Sequence, residues 1–277
     1  MSADDRGHDA AQLEPDEEQK AIEQEAPGAG VNHEAIRREG MKELDRAPSA
    51  LAWSGLAAGL SMGLSMVAEG ALRTHLPAEV WRPLVTKLGY PIGFLAVILG
   101  SQQLYTENTL TPIVPLMSTR SGEMLGRVLR LWAIVLVTNL VGALLFALVV
   151  AHTDAFSSDV RASFVDIGRE AVAGGFGTLF IRAVFAGWII ALMVWMLPAA
   201  EAGAKLLTIV VMTWLVGAGE LAHVIVGSVE VLHLAARGEI SYATYLTGWL
   251  PPVLLGNTLG GVVLVAAVNH AQVTSGE

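Results

Sequence analysis

The chain contains no cysteine, which excludes disulfides and thiolate metal sites outright. It is also poor in charge: Asp, Glu, Lys and Arg make up only 16% of its 277 residues, and many of these crowd the first 46 positions. Beyond position 46 the chain is too apolar to clothe a soluble domain. Inside the apolar runs there is no metal-binding His pair, no nucleophile motif and no phosphate-binding glycine loop. No enzyme activity, metal or cofactor is therefore expected. The net charge of −9 comes largely from the N-terminal tail and points to no partner; no nucleic-acid partner is expected. Nothing at the N-terminus resembles a cleavable signal, because the first apolar run begins only near residue 48.

In place of charge there is length of apolar sequence. Apolar residues are 53% of the chain and its mean hydropathy is +0.53. About 20 apolar residues span a hydrocarbon core of roughly 30 Å, and several such runs are present. Residues 1–46 read as a disordered acidic cytoplasmic tail, although 33–46 has the pattern of a short amphipathic helix at the membrane surface. Residues 47–270 read as a six-span transmembrane domain, and 271–277 as a short C-terminal tail. The spans fall at roughly 48–72, 84–118, 129–151, 178–198, 205–236 and 248–268, with a possible short surface helix in 152–170. Gly55, Gly59 and Gly63 put three glycines on one face of span 1, a pattern for close helix packing. Glu69, near the end of that span, reads as interfacial. Arg37, Arg38, Lys42 and Arg46, with Arg120, Arg127 and Arg130, favour a cytoplasmic side for those segments and for both termini, against Arg73, Arg82 and Lys87 opposite.

Two spans are interrupted. Gly100–Pro115, GSQQLYTENTLTPIVP, places Gln102, Gln103, Thr106, Glu107, Asn108 and Thr109 together where a helix ought to continue, then adds Pro112 and Pro115. Non-helical backbone at bilayer depth is tolerated only where protein buries it or where it lines a cavity, and polar side chains there mark a solute path. The first half-helix is expected to run to about Gln103, with its loop at 104–109. Gly217–Gly227, GAGELAHVIVG, is the second break and carries His223, read as the only histidine inside an apolar run. Spans 3 and 6 share Asn139-x-x-Gly142 and Asn257-x-x-Gly260. Three spans per half, each with its middle span broken, make an inverted 3+3 repeat, with the site at the interface of the halves.

These residues resemble the formate/nitrite transporter family over roughly 48–270. Leu104-Tyr105-Thr106 is similar to the family's Leu-Phe-Thr, Asn139 to Leu145 to its span 3, and Gly256-Asn257 with Gly260-Gly261 to its span 6. The resemblance implies an all-α, aquaporin-like protomer, a homopentamer in the bacterial inner membrane, and one pore per protomer for a small-molecule solute. It implies His223 as the central pore histidine, Thr106 as the pore threonine, and Leu104, Tyr105 and Val194 as apolar gates. The chain departs from the family at Ala222-His223-Val224-Ile225-Val226-Gly227, where Glu-His-Ser-Ile-Ala-Asn is usual, at Ala191 and near Gly175, where an asparagine and a lysine are usual, and at Glu107-Asn108.

The resemblance implies a passive or proton-linked channel for small monovalent weak-acid anions such as formate or nitrite. Two other readings stay open: a pore for a neutral or cationic solute such as ammonia, and a non-conducting scaffold or sensor. Each residue has a structural alternative. His223 could only bond a neighbouring helix, and Thr106 could bond back to its own. Asn139 and Asn257 read as ties between broken backbone and spans 3 and 6. Glu220 could face the pore or cap a helix end, and Glu107 could face the pore or pair with Arg182.

Overall fold

The computed structural model describes residues 28–275, and every regular element among them is helical. In chain order these are α1 Ala29–Asp45, α2 Pro48–His75, α3 Arg82–Leu99, α4 Ile113–Thr119, α5 Gly122–His152, α6 Ser158–Val172, α7 Phe176–Met196, α8 Ala202–Ala218, α9 Val224–Ala236 and α10 Thr244–Thr274. Five stretches, those of α2, α3, α5, α7 and α10, are long and apolar enough to cross a membrane, whereas α8 and α9 are each shorter. Val137, Val141, Leu145 and Val149 recur every fourth residue of α5 and stay exposed, an apolar stripe suited to lipid or another subunit.

Lipid is as apolar as leucine, so packing inside a membrane rests on small residues and hydrogen bonds. The glycine face of α2 bears this out. A Cβ at Gly55 would meet Thr138 Oγ1, one at Gly59 would lie 2.1 Å from Asn139 O, and one at Gly63 would strike the Phe146 ring. The second half repeats the arrangement: a Cβ at Gly187 of α7 would lie 2.3 Å from Asn257 O. Gly142 sits on Leu56 O and Leu60 N, and Gly260 on Val184 O and Trp188 N. The repeat expected from the two Asn-x-x-Gly motifs is thus carried down to matched backbone contacts.

The first half-helix, α3, ends earlier than the sequence suggests, at Leu99 rather than near Gln103, whereas α8 stops at Ala218, inside the break expected from Gly217. Each is closed by a non-glycine residue in the left-handed region, Ser101 and Glu220, both at φ 50°. The Gln102 and Leu221 N–H groups then reach back to Val97 O and Val216 O, so orphan carbonyls of each helix end are satisfied.

The tail expectation needs correcting. Residues 29–45 form α1, whose stripe Ile36, Gly40, Glu43 and Leu44 is buried. A Cβ at Gly40 would lie 2.0 Å from Thr111 O, which brings α1 against the chain just before α4. Arg127 donates to Asp45 at 2.5 Å and Arg130 to Leu44 O, tying α1 to α5. Charge dominates the composition of α1, but one apolar stripe is enough to dock it. The rest of the expected tail, residues 1–27, lies outside the described residues, as do 276–277; residues 271–274 continue α10. Glu69, expected near the end of span 1, is 1% exposed and accepts from Lys87 Nζ at 2.5 Å. His223 is not alone as a histidine in an apolar run, since His233 of α9 is also buried and meets the Phe164 ring edge-on.

Candidate functional site

The two breaks meet at one contact. Thr106 Oγ1 lies 2.8 Å from His223 Nε2. Both residues are held from behind by an asparagine. Asn139 Oδ1 accepts from Tyr105 N–H at 2.9 Å, and its Nδ2 donates to Gly55 O at 2.8 Å and Gln103 O at 2.9 Å. Asn257 Oδ1 accepts from Val224 N–H at 2.7 Å, and its Nδ2 donates to Ala183 O and Ala222 O, both at 2.8 Å. Each asparagine thereby replaces the helix hydrogen bonds that its break gives up, as buried backbone demands.

The histidine ring has a defined tautomer. Its Nδ1 faces the N–H groups of Ile225 and Val226, both at 3.3 Å, and so caps α9 as an acceptor. The proton of the neutral ring then sits on Nε2 and is donated to Thr106 Oγ1. Having accepted it, the Thr106 hydroxyl keeps its own hydrogen for another acceptor. The back-bond considered for Thr106 is made by Thr109 instead, whose Oγ1 donates to Thr106 O at 2.7 Å. Phe94 closes one side of the ring, edge to face with centroids 5.0 Å apart.

A cavity opens on either side of this pair. One, of about 50 Å³, is lined by His223, Tyr90, Lys87, Glu170, Arg182, Glu220 and Glu230 among others. The second, of about 380 Å³, is lined by Gln102, Gln103, Glu107, Val194 and Lys205, with Glu39 and Glu43 contributed by α1. Thr106, next in the chain to Glu107 and bonded to His223, stands between them. Leu104, expected as a gate, is fully buried and lines neither cavity.

The remaining expected site residues fall into place unevenly. Val194 and Glu107 line the larger cavity. Glu220 lines the smaller one and lies 3.7 Å from Arg182, so the Glu107–Arg182 pairing considered from sequence is not formed. Glu107 has one buried carboxylate oxygen without a hydrogen-bond partner among the described residues. Tyr105 lines neither cavity: its ring stands against Trp132 of α5 and its hydroxyl bonds Thr258 of α10 at 2.9 Å. At the rim of the larger cavity, burial pushes the Glu43 carboxyl above the usual carboxylate range, with Arg46 opposing the shift.

Four residues were not read from the sequence as site residues: Phe94, Lys87, Glu69 and Glu230. Lys87 brings an ammonium into the smaller cavity, where Glu69 holds it at 2.5 Å and Glu170 stands at 4.0 Å. Glu170 also pairs with Arg73. A carboxylate inside VIVGSVEVLHLAA was a legible signal for Glu230, since charge within an apolar run is seldom idle.

A sequence profile of the family described as formate/nitrite transporter matches residues 31–271. The chain belongs to the formate/nitrite transporter family. It is 38% identical over 241 residues to the "Inner membrane protein YfdC" of Escherichia coli (strain K12), covering 87% of this chain and 77% of that protein. It is 25% identical over 223 residues to a "Probable formate transporter" of Methanothermobacter thermautotrophicus, covering 73% and 79%. Among solved structures, an "FNT family ion channel" superposes with a TM-score of 0.71 at 20% identity, covering 86% of this chain and 97% of the other. A "Pentameric formate channel with formate bound" gives 0.71 at 19% identity, covering 84% and 100%. The fold of this formate/nitrite transporter family member is therefore that of the channel structures, with its helices serving a multi-pass membrane protein.

Proposed function

We propose that this chain is a channel for small monovalent weak-acid anions, formate or nitrite in class, that pass the centre of the membrane with the help of a proton. The observation that carries the reading is the Thr106–His223 contact at 2.8 Å, set between two cavities that each hold charged side chains, where both interrupted spans meet. An anion entering an apolar slit loses hydration, and Nε2–H with the Thr106 hydroxyl offers donors in its place. Lys87 and Arg182 line the approach, each beside a carboxylate. Nδ1 is held by the α9 N–H groups, so His223 meets the solute as an Nε2–H donor. Counting α8, the break and α9 as one crossing makes six, with both termini in the cytoplasm. A homopentamer, suggested by the pentamer of the structural neighbour, and an inner-membrane location belong to the same proposal.

The test is uptake of formate and nitrite into proteoliposomes at acid and neutral pH, with His223→Ala beside wild type. Saturating, pH-sensitive uptake that the variant loses supports the reading; uptake unchanged in rate and pH profile removes His223 from it. One observation favours a second reading, a pore for a cationic or neutral solute. Glu39, Glu43 and Glu107 face the larger cavity against Lys205 alone, and Gln102 adds another buried oxygen without a partner. Methylammonium uptake in place of formate uptake would put that reading first.

A further inference from the structure

The smaller cavity contains a carboxyl group that neither the pore pair nor the ion-pair network uses. Glu230 of α9 is 7% exposed, lines the cavity, and makes no hydrogen bond or ion pair among the described residues. His223, Gly227 and Glu230 succeed one another along one face of the chain at spacings of four and three, and all three line this cavity. At 1.5 Å rise per residue, Glu230 stands about 10 Å outward from the histidine.

The charged groups around it come from several neighbouring elements. Glu69 of α2 is occupied by Lys87 of α3 at 2.5 Å, which leaves that pair neutral. Arg182 of α7 lies 3.7 Å from Glu220, and Glu170 of α6 is shared by Arg73 and Lys87. Tyr90 of α3 also faces the cavity, and His233 on the same helix is turned to Phe164 of α6. Every cation near Glu230 thus has a carboxylate partner already, and Glu230 has none. An uncompensated buried carboxylate is costly, and a proton is the smallest thing that relieves it.

Building on the weak-acid reading above, we propose that Glu230 is the proton carrier of this cavity and hands its proton to the entering anion. In the step, the Glu230 O–H bond breaks and an O–H bond forms on the solute anion. Glu230 is left as a carboxylate facing Lys87, and the solute moves toward His223 as the neutral acid. Water from the cavity side returns a proton to Glu230. No electron changes hands, and no co-reactant beyond hydronium is needed.

Two measurements test this. The first is an infrared difference titration of the purified full chain between acid and alkaline pH, without solute. Wild type is expected to show a protonated-carboxyl stretch that shifts in heavy water, persists in Glu107→Gln and vanishes in Glu230→Gln; an identical band in wild type and Glu230→Gln overturns the proposal. The second is formate uptake by proteoliposomes. Glu230→Gln is expected to slow uptake at least about tenfold at neutral pH and much less at acid pH, where the bulk supplies the proton, while Glu230→Asp keeps the wild-type profile. A purely structural role would lower uptake at both pH values by the same factor, and that result overturns the proposal. If wild type moves neither formate nor nitrite but the infrared band still disappears in Glu230→Gln, the weak-acid reading fails while the protonated Glu230 stands.

Discussion

Replacing Asn257 by leucine tests the architecture at its most exacting point. The side chain is fully buried and makes three hydrogen bonds, two as donor and one as acceptor. Ala183 O lies within α7 and keeps its helical partner, so its loss is partial. Ala222 O has no such reserve, because the Val226 N–H that a continuous helix would aim at it is engaged by His223 Nδ1. Hydrogen bonds between membrane helices average ~0.6 kcal/mol with a maximum of ~1.7, so three of them amount to about 2–5 kcal/mol. For a domain of this size each kcal/mol moves Tm by ~2–4 °C, which places the expected drop at roughly 4–20 °C. Asn257→Asp is the sharper companion. It keeps the acceptor for Val224 N–H but turns an oxygen toward Ala183 O and Ala222 O, so it should lose as much as leucine or more. The assay is thermal loss of the oligomer peak in detergent, with Asn139→Leu as the matched change in the other half. A Tm within about 2 °C of wild type for both Asn257 variants would refute the claim that this side chain holds the break.

Other expectations rest on single contacts. Thr106→Val removes the acceptor for Nε2–H and should slow formate uptake about tenfold, the worth of one hydrogen bond near 1.5 kcal/mol, with the oligomer intact; a wild-type rate would make Thr106 structural. Ser101→Gly relieves a left-handed residue and should stabilise by about 1 kcal/mol, read as a higher Tm, whereas a fall would mean the Ser101 side chain contributes more than its backbone costs. Glu43 has its carboxyl raised by burial, so the folded state holds that proton more tightly than the unfolded chain and loses stability as pH rises through the folded value. Glu43→Gln should therefore raise Tm in alkaline buffer and change it little in acid; a gain of equal size at both ends would rule out the titration.

The plan of the protein was legible where polar residues interrupt apolar runs. Asn139 and Asn257, each with a glycine one helical turn on, announced matched halves, and the structure matches them bond for bond. The end of the first half-helix was less legible. It is set by Ser101 at φ 50°, a conformation that the residue type does not advertise. Lys87 and Glu69 could not be paired in advance, because they come from different helices and each looked like a charge at a span's edge. Composition suggested a disordered tail over residues 29–45, whereas the amphipathic pattern noted in 33–46 is the one that seats α1 through Ile36, Gly40 and Leu44.

The way His223 caps α9 has a consequence for selection. With Nδ1 pinned by two backbone N–H groups, the ring cannot swap tautomers without undoing a helix end, so Nε2 is a permanent donor. The Thr106 hydroxyl across from it can turn either way. On a path between the two, a passenger must bring at least one lone pair. Formate, nitrite, their neutral acids, ammonia and water all qualify, whereas ammonium and bare alkali cations have nothing with which to accept. The filter therefore sorts by lone pairs before it sorts by charge.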